Sequence, residues 1–323
     1  MRRRRPVRRP AGERGFALIA VLMVLAFVGV IGAEFAYSMR LEATAARVYK
    51  ETLVATHLAE AGLEQAIREL ANEFQYVGLG NDKDDDIDPE CPLAFYTWDR
   101  LGIKRLPHRD VPLGAGRFSY CITDEEARLN LNTSPPDRVT RLLEALGLEK
   151  AERDVVIDSI QDWRDANENH RANGAESEDT YLKRPVPYRS KNANLDSLAE
   201  LIQVKGITAK LLEGGDGRPG LAALATVKGS GQVNINTVTK EVARALGLSE
   251  AEFTEIEQFR RVAPYTSVGR FSGRGLVVSS RTFRVEAQGL IDGQTRAKLT
   301  AIVQKQSDAG GEGVAVLEWS GVH

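Results

Sequence analysis

The sequence predicts an α+β fold in which one very long N-terminal helix precedes antiparallel sheet, with a helical stretch set between two sheet-forming regions. Three observations carry this reading. From Phe16 to about Phe74 there is no proline and apolar residues keep helical spacing; residues 116–123 and 282–304 read as strands; between those strands the helical spacing returns. The 323 residues are 42% hydrophobic and 27% charged, enough for one or two ordinary cores and too polar for several membrane spans. The net charge of −2 conceals an asymmetry, because seven Arg and Glu13 give the first fifteen residues +6 and leave the remainder at −8. An acidic body argues against a general phosphate-backbone binder. Four His and two Cys leave no room for a zinc cluster of the usual Cys/His kind.

The helix starts as a membrane segment. Phe16 to Ala33, FALIAVLMVLAFVGVIGA, holds eighteen uncharged residues. At about 1.5 Å per residue it measures roughly 27 Å, close to a bilayer core of about 30 Å. The arginines from Arg2 to Arg14 hold the N-terminal side in the cytoplasm and put the chain after Ala33 outside it. A plain single-pass anchor and a cleaved signal peptide are the other readings, although Gly32-Ala33-Glu34 makes a poor cleavage site. Leu41, Ala45, Val48, Leu58, Ala61, Leu63, Ile67 and Leu70 continue the helix as an amphipathic one, for a total on the order of 90 Å.

Gly78 to Pro92 is turn-rich and acidic and reads as an exposed loop; a calcium site on Asp82, Asp84, Asp86 and Asp88 is the lesser reading. Gly116 to Thr123 alternates Phe118, Tyr120 and Ile122 on one face, and Thr282 to Gln304 reads as two strands turning at Asp292-Gly293. Cys91 and Cys121, on the oxidising side of the membrane, are expected to pair, the other reading being two free buried thiols. Helices are expected from Pro136 to Leu146, from Ala151 to Trp163 and from Leu195 to Ile207. Arg128 to Thr133 (RLNLNT) and Gln232 to Thr237 (QVNINT) are near copies, and each precedes a helix ending in Leu-Gly-Leu. Such an echo suggests a short strand whose Asn side chains brace the next helix start.

The densest polar block runs from Asp162 to Asp179. Counted from Asp165, oxygen-bearing side chains fall at Asn167, Asn169, Asn173 and Glu176 with the spacing of an EF-hand loop, although His170 replaces the usual Gly and Pro185 and Pro187 preclude an exiting helix. Calcium needs about six to eight oxygens, and Asp162, Glu178 and Asp179 complete the set. The other reading is a polar loop capped by its own Asn and Asp side chains. No HExxH or GxSxG occurs, and His57, His108, His170 and His323 read as surface residues, so no catalytic residues are assigned and no enzyme is expected. An anchored hydrolase using these acids rests on no motif.

The basic leader, Gly15 before Phe16 and the apolar helix that turns amphipathic resemble the type IV pilin class. That resemblance implies a prepilin peptidase that cuts after Gly15 and methylates Phe16. Ala20 stands at the fifth mature position, where most members carry a Glu that pairs with a neighbour's amine. DEEARLNLNT, DSIQDWRDANENHRANGAESEDTYL, LDSLAELIQVKGI and VNINT, in that order, resemble the minor pseudopilin K family of type II secretion (general secretion pathway protein K), the branch without that Glu. The resemblance implies a pilin-like fold, with the long helix packed on an antiparallel sheet and a large inserted all-α domain. It also implies calcium on the oxygen residues named above. The organisation expected is a cleaved leader at 1–15, a transmembrane part at 16–38, pilin-like head at 39–133 and 229–306, inserted helices at 134–228, and a disordered tail at 307–323.

The implied role is mechanical, at the tip of a periplasmic pseudopilus whose assembly this subunit starts. Its partners would be minor pseudopilins I and J, the inner membrane, and an exported protein or the outer-membrane channel. Glu200 to Ile207 (ELIQVKGI) also looks like half of a helix-hairpin-helix, which would suit a membrane-anchored DNA receptor; Asp196 and Glu200 beside the single Lys205 speak against it, and no nucleic acid is expected.

Overall fold

The computed structural model describes residues 13–80, 88–215, 217–308 and 311–321. Asp82, Asp84, Asp86, His323 and most of the leader lie outside the described residues. In chain order α1 (Glu13–Leu70) precedes β1 (Tyr76–Leu79), β2 (Leu93–Tyr96), β3 (Gly102–Ile103), β4 (Val111–Leu113) and β5 (Gly116–Asp124). A helical region follows, with β6 (Leu129–Asn130), α2 (Pro136–Ala145), α3 (Lys150–Arg164), α4 (Ala209–Glu213), β7 (Gly214–Gly215) and β8 (Arg218–Pro219). It continues through α5 (Leu221–Leu224), β9 (Ala225–Thr226), β10 (Val233–Asn234), α6 (Lys240–Ala245), α7 (Glu250–Arg260) and β11 (Leu276–Val277). Strands resume with β12 (Thr282–Ile291), β13 (Gln294–Asp308) and β14 (Gly311–Ser320). The fold is α+β and pilin-like.

The chain divides into two units, one ending at Val54 and one starting at Ala55. In the first, the apolar side chains of α1 from Phe16 to Leu53 are exposed all round, as a segment that needs a non-aqueous surrounding would be.

The second unit is built on a five-stranded antiparallel sheet ordered β14-β13-β12-β5-β4. Ala55, Leu58, Ala59, Leu63, Ala66 and Leu70, spaced three and four apart, bury one face of α1 on it. The approach is backbone-close: a Cβ on Gly289 would overlap the Ala55 carbonyl, and one on Gly62 would lie 3.3 Å from both Ala287 and the Phe118 ring. Contacts move along β12 from Gly289 to Phe283, where Phe74, Phe95 and Phe283 pack with centroids 4.7 to 6.3 Å apart, Phe283 edge-on to the other two rings. Glu69, buried in the last turn of α1, accepts hydrogen bonds from Arg105 Nε at 2.5 Å, the Tyr120 hydroxyl at 2.9 Å and the Leu106 amide at 3.2 Å. Burial, with the Glu69 charge beside it, pushes the Tyr120 hydroxyl well above the usual phenol range. Asp292 and Gly293, at φ of 51° and 72°, make the two-residue turn between β12 and β13.

The helical region is a repeat in three dimensions. Asn132 donates to the carbonyls of Leu195 and Val227 and accepts from the Leu195 amide; Asn236 does the same with Tyr265 and Val278 and the Tyr265 amide. Each Asn therefore pins a returning segment rather than the start of the next helix. The strands β6 and β10 each pair in parallel with such a segment, β9 and β11 respectively. The first helix of each copy ends in a Schellman turn, with Gly147 and Gly247 at φ of 84° and 82°. The copies meet where α2 packs on α6, and Arg141 Nε donates to the Ala245 carbonyl, its own counterpart position in the echo. Both copies share one apolar core.

That shared core corrects the expected organisation. Residues 229–281, assigned to the head, contribute α6 and α7 to the helices, and the sheet resumes only at Thr282. The tail expected to be disordered forms β14, because the alternation of VAVLEW at 314–319 and a free edge on β13 outweigh the Gly-rich run before it. The helix expected from Leu195 to Ile207 is a six-residue 3-10 helix, Leu198–Gln203, since Asn132 takes the Leu195 amide at one end and Gly206, at positive φ, turns the other.

Three consecutive carboxylates join sheet to helices. Asp124 accepts from Thr237 Oγ1 at 2.6 Å, Ser280 Oγ at 2.7 Å, the Glu126 amide at 2.8 Å and Asn234 Nδ2 at 3.1 Å. Glu125 is paired with Arg128 and Arg284. Glu126 has Thr282 Oγ1 at 3.1 Å, and burial beside Asp124 pushes its carboxyl up to about 7.

Two outcomes are expected. Gly289→Ala forces the helix off the sheet and lowers stability by about 1–3 kcal/mol, whereas Gly313→Ala, with open space around it, stays within about 0.5 kcal/mol, as denaturant unfolding would read. Because Glu126 in the folded chain holds a proton that the unfolded chain releases near 4.5, stability falls as pH rises from there to about 7, by on the order of 3 kcal/mol. Glu126→Gln flattens that fall and is more stable than the parent at pH 8.

Candidate functional site

The acidic block is built outward from α3. Asp162 lies in its last turn, fully buried, and accepts from the Ala175 amide at 2.9 Å and the Arg171 amide at 3.0 Å. Gly174 makes this possible, since a Cβ there would overlap the Asp162 carboxylate. Asp165 caps the C-terminal end of α3 and accepts from both nitrogens of Asn167. One nitrogen of Arg171, Nη1, bridges the two acids at 2.6 Å from Asp162 Oδ1 and 2.6 Å from Asp165 Oδ2.

A second carboxylate pair closes the loop. Glu168 accepts from Ser177 and Asn192, Ser177 and Ser190 hydroxyls are 2.7 Å apart, and Ser190 Oγ donates to Glu176 Oε2 at 2.7 Å. Glu176 is 2% exposed and its other oxygen, Oε1, is buried with no hydrogen-bond partner. Burial pushes the Glu176 carboxyl above the usual range, the Ser190 hydroxyl opposes this, and the charges of Asp162, Glu168 and Asp165 add to it.

Of the residues expected around calcium, the structure joins Asp162 and Asp165 through Arg171, while Glu176 is held by Ser190. Asn167 turns its oxygen to the Asn169 amide, Asp179 turns back to the Glu176 amide, and Glu178 faces solvent beside Arg189. Among the described residues, no three carboxylate, imidazole or thiolate groups stand ready-made around one point. The EF-hand register does not survive because Asp158 takes both nitrogens of Asn173. Arg171, Glu168, Ser177 and Ser190 were missed; the signal inside the block was one further acid, Glu168, and a second arginine, Arg171. Elsewhere, Asp88 is held by Arg109, His108 is partly buried against Tyr120 rather than at the surface, and Cys91 and Cys121 are joined by a disulfide with Cα atoms 5.5 Å apart. Lys205, the cation on which a DNA-binding reading relied, donates to the carbonyls of Asn173 and Gly174. Gly15 and Phe16 lie within α1.

Residues 123–214, from the end of β5 through α4, match the family model of type II secretion system (T2SS), protein K. Type II secretion system protein K of Klebsiella pneumoniae is 28% identical over 326 residues, covering 91% of this chain and 93% of that protein. The chain is similar to type II secretion system protein K over most of its length. The relative from Pectobacterium carotovorum is also 28% identical, over 71% of this chain and 67% of its own length. In fold, the chain is similar to one in the crystal structure of the GspK-GspI-GspJ complex from the enterotoxigenic Escherichia coli type 2 secretion system, with a TM-score of 0.59 at 18% identity, covering 87% of this chain and 99% of that one. The apolar part of α1 is long enough to cross a membrane, none of it is buried by protein, and it fits a single-pass anchor.

Proposed function

We propose that the chain is a non-enzymatic minor pseudopilin standing at the tip of a periplasmic pseudopilus, anchored in the inner membrane, and starting assembly together with minor pseudopilins I and J. The observation that carries this is where the helical region leaves the sheet. β5 ends at Asp124 and β12 begins at Thr282, with Asp124 paired to Phe283, so the helices emerge from one end of the sheet. It is the end toward which α1 runs, away from Ala55. A subunit whose far end is covered by two packed helical units has no open sheet end there for another subunit to stack upon. Ala20 agrees with this, since at that position α1 offers no carboxylate to a neighbour's amine and none of the cost of burying one there in lipid. The fold's likeness to a chain solved in a GspK-GspI-GspJ complex supports the choice of partners.

The full chain, expressed with a prepilin peptidase, is expected to yield an N-methylated Phe16 by mass spectrometry, and to co-purify with subunits I and J as one complex. An unprocessed terminus beside a processed control pilin, or failure to associate, removes the reading.

Calcium fits the acidic loop as a stabiliser of that head. Glu176 Oε1 is a buried carboxylate oxygen without a partner, and the charges of Asp162, Glu168 and Asp165 act on its carboxyl, which supports a cation near Glu176. At a calcium concentration of about 100 times Kd the stabilisation is about 2.7 kcal/mol, a rise of a few degrees in unfolding midpoint. Glu176→Gln is expected to abolish that rise.

A further inference from the structure

The two copies of the helical device treat the same turn differently. Residues 146–152 (LGLEKAE) and 246–252 (LGLSEAE) are identical at five of seven positions, and an arginine stands over the glycine of each. In the second copy that arginine is satisfied. Arg274 Nη1 donates to the Gly247 carbonyl at 3.3 Å and to Glu252 Oε2 at 2.9 Å, and Ser249 holds the same carboxylate in a capping box. In the first copy Arg218 Nη1 lies 3.5 Å from where a Cβ on Gly147 would stand, but Glu149 takes the place of the capping serine. Among the described residues, the side chains of Arg218 and Glu152 have no hydrogen-bond or ion-pair partner.

Beside this unsatisfied turn lies a groove of about 870 Å³, within the range of about 300–1,000 Å³ usual for ligand sites. Half-buried Leu146, Leu148, Val155 and Leu211 line it. Among the described residues on its walls, two cations, Lys210 and Arg218, stand against one carboxylate, Glu152. The walls are fixed by close backbone contacts. Gly206, at φ of 86°, comes so near α3 that a Cβ there would lie 3.0 Å from Val156, and α4 starts just beyond it, with Thr208 accepting from the Leu211 amide at 3.1 Å. α4 stops at Gly214, and β7 pairs with β8 so that Gly215 stands opposite Arg218. The backbone of Arg218 is thereby held while its side chain is exposed. A groove whose walls are set before anything enters loses little conformational freedom on binding.

We propose that this groove docks a segment of a partner protein in which apolar side chains flank a carboxylate. The apolar side chains enter between α3 and α4, and the carboxylate gives Arg218 what Glu252 gives Arg274 in the second copy. One copy of the device is thus closed by its own residues and serves the core, while the other is left open for a partner.

The test pans a phage-displayed library of short random peptides on the full chain in lipid nanodiscs and measures the most enriched peptide by fluorescence polarisation. Enriched sequences are expected to carry Asp or Glu beside Leu, Ile, Val or Phe, and panning on Arg218→Glu is expected to replace that acid by Lys or Arg. For the selected peptide, Arg218→Gln is expected to weaken binding about tenfold. Changing the peptide's acid to its amide is expected to weaken binding to the parent by the same factor and to leave binding to Arg218→Gln unchanged, the mark of one shared pair. Arg274→Gln, which breaks the closed pair of the second copy, is expected to bind as the parent does. Ala151→Trp, which narrows the groove and leaves Arg218 in place, is expected to reduce binding. No enrichment, enriched peptides without an acid, or a selected peptide that binds Arg218→Gln and Ala151→Trp as it binds the parent overturns the proposal. Should Arg218→Gln unfold at a lower midpoint than the parent, Ala151→Trp and the amide peptide decide, and full binding in both cases overturns the docking site.

Discussion

The closeness of α1 to β12 is the constraint on which the second unit depends. Where helix and strand meet at Ala55 and Gly289 there is no room for a side chain, and the next contact, Gly62 on Ala287 and Phe118, is nearly as tight. Such an approach brings the whole apolar stripe of α1 down on the sheet, and it carries Glu69 down with it. A buried carboxylate is costly unless it is paired and hydrogen-bonded, and Arg105, Tyr120 and the Leu106 amide supply that. Arg105 in turn donates to the Leu93 carbonyl, and the Cys91–Cys121 disulfide ties the same region to β5. The small three-stranded sheet β1-β2-β3 is thereby held at the end of the helix.

From the sheet the chain passes into the helices through Asp124, Glu125 and Glu126, three buried acids satisfied in three ways. Asp124 has four donors, drawn from its own turn, the second Asn strand and the approach to β12. Glu125 has two arginines, one from each side of the joint. Burial raises the carboxyls of both Asp124 and Glu126, and Glu126, with the Asp124 charge beside it, is pushed up to about 7. Beyond the joint, two copies of one device build the helical region. In each an Asn side chain closes a loop of chain with three backbone hydrogen bonds, which satisfies buried peptide groups that no long sheet is present to satisfy.

The acidic loop hangs on that device. Arg164, at the end of α3, donates to the carbonyls of Leu131 and Asn132, so the first Asn strand and the loop are held by the same helix. Trp163 donates to Glu200 and packs edge-on against Tyr181, which fixes the far side. What remains is a concentration of negative charge whose geometry is set by Arg171 and by two serine hydroxyls. An EF-hand register counts oxygens along the chain, but here several of those oxygens cap nearby amides, and acids such as Glu168 and Glu176 meet through Ser177 and Ser190.

The sequence alone determined the elements whose signals are local and periodic: the uncharged run from Phe16 to Ala33, the stripe of α1, the alternation of β5 and β12, the Asp292-Gly293 turn and the echo of RLNLNT in QVNINT. These are legible because a helix or strand buries one face and repeats its spacing along the chain. The acids of the loop were also legible as a group, since composition and spacing are properties of the chain. Only the tertiary structure decided that the second echo belongs with the helices, that β14 closes the edge of the sheet, that Leu198–Gln203 is a 3-10 helix, and that Arg171 stands between Asp162 and Asp165. Each of these is settled by a partner distant in sequence or by which donor reaches an oxygen first, and neither leaves a periodic trace in the residues themselves.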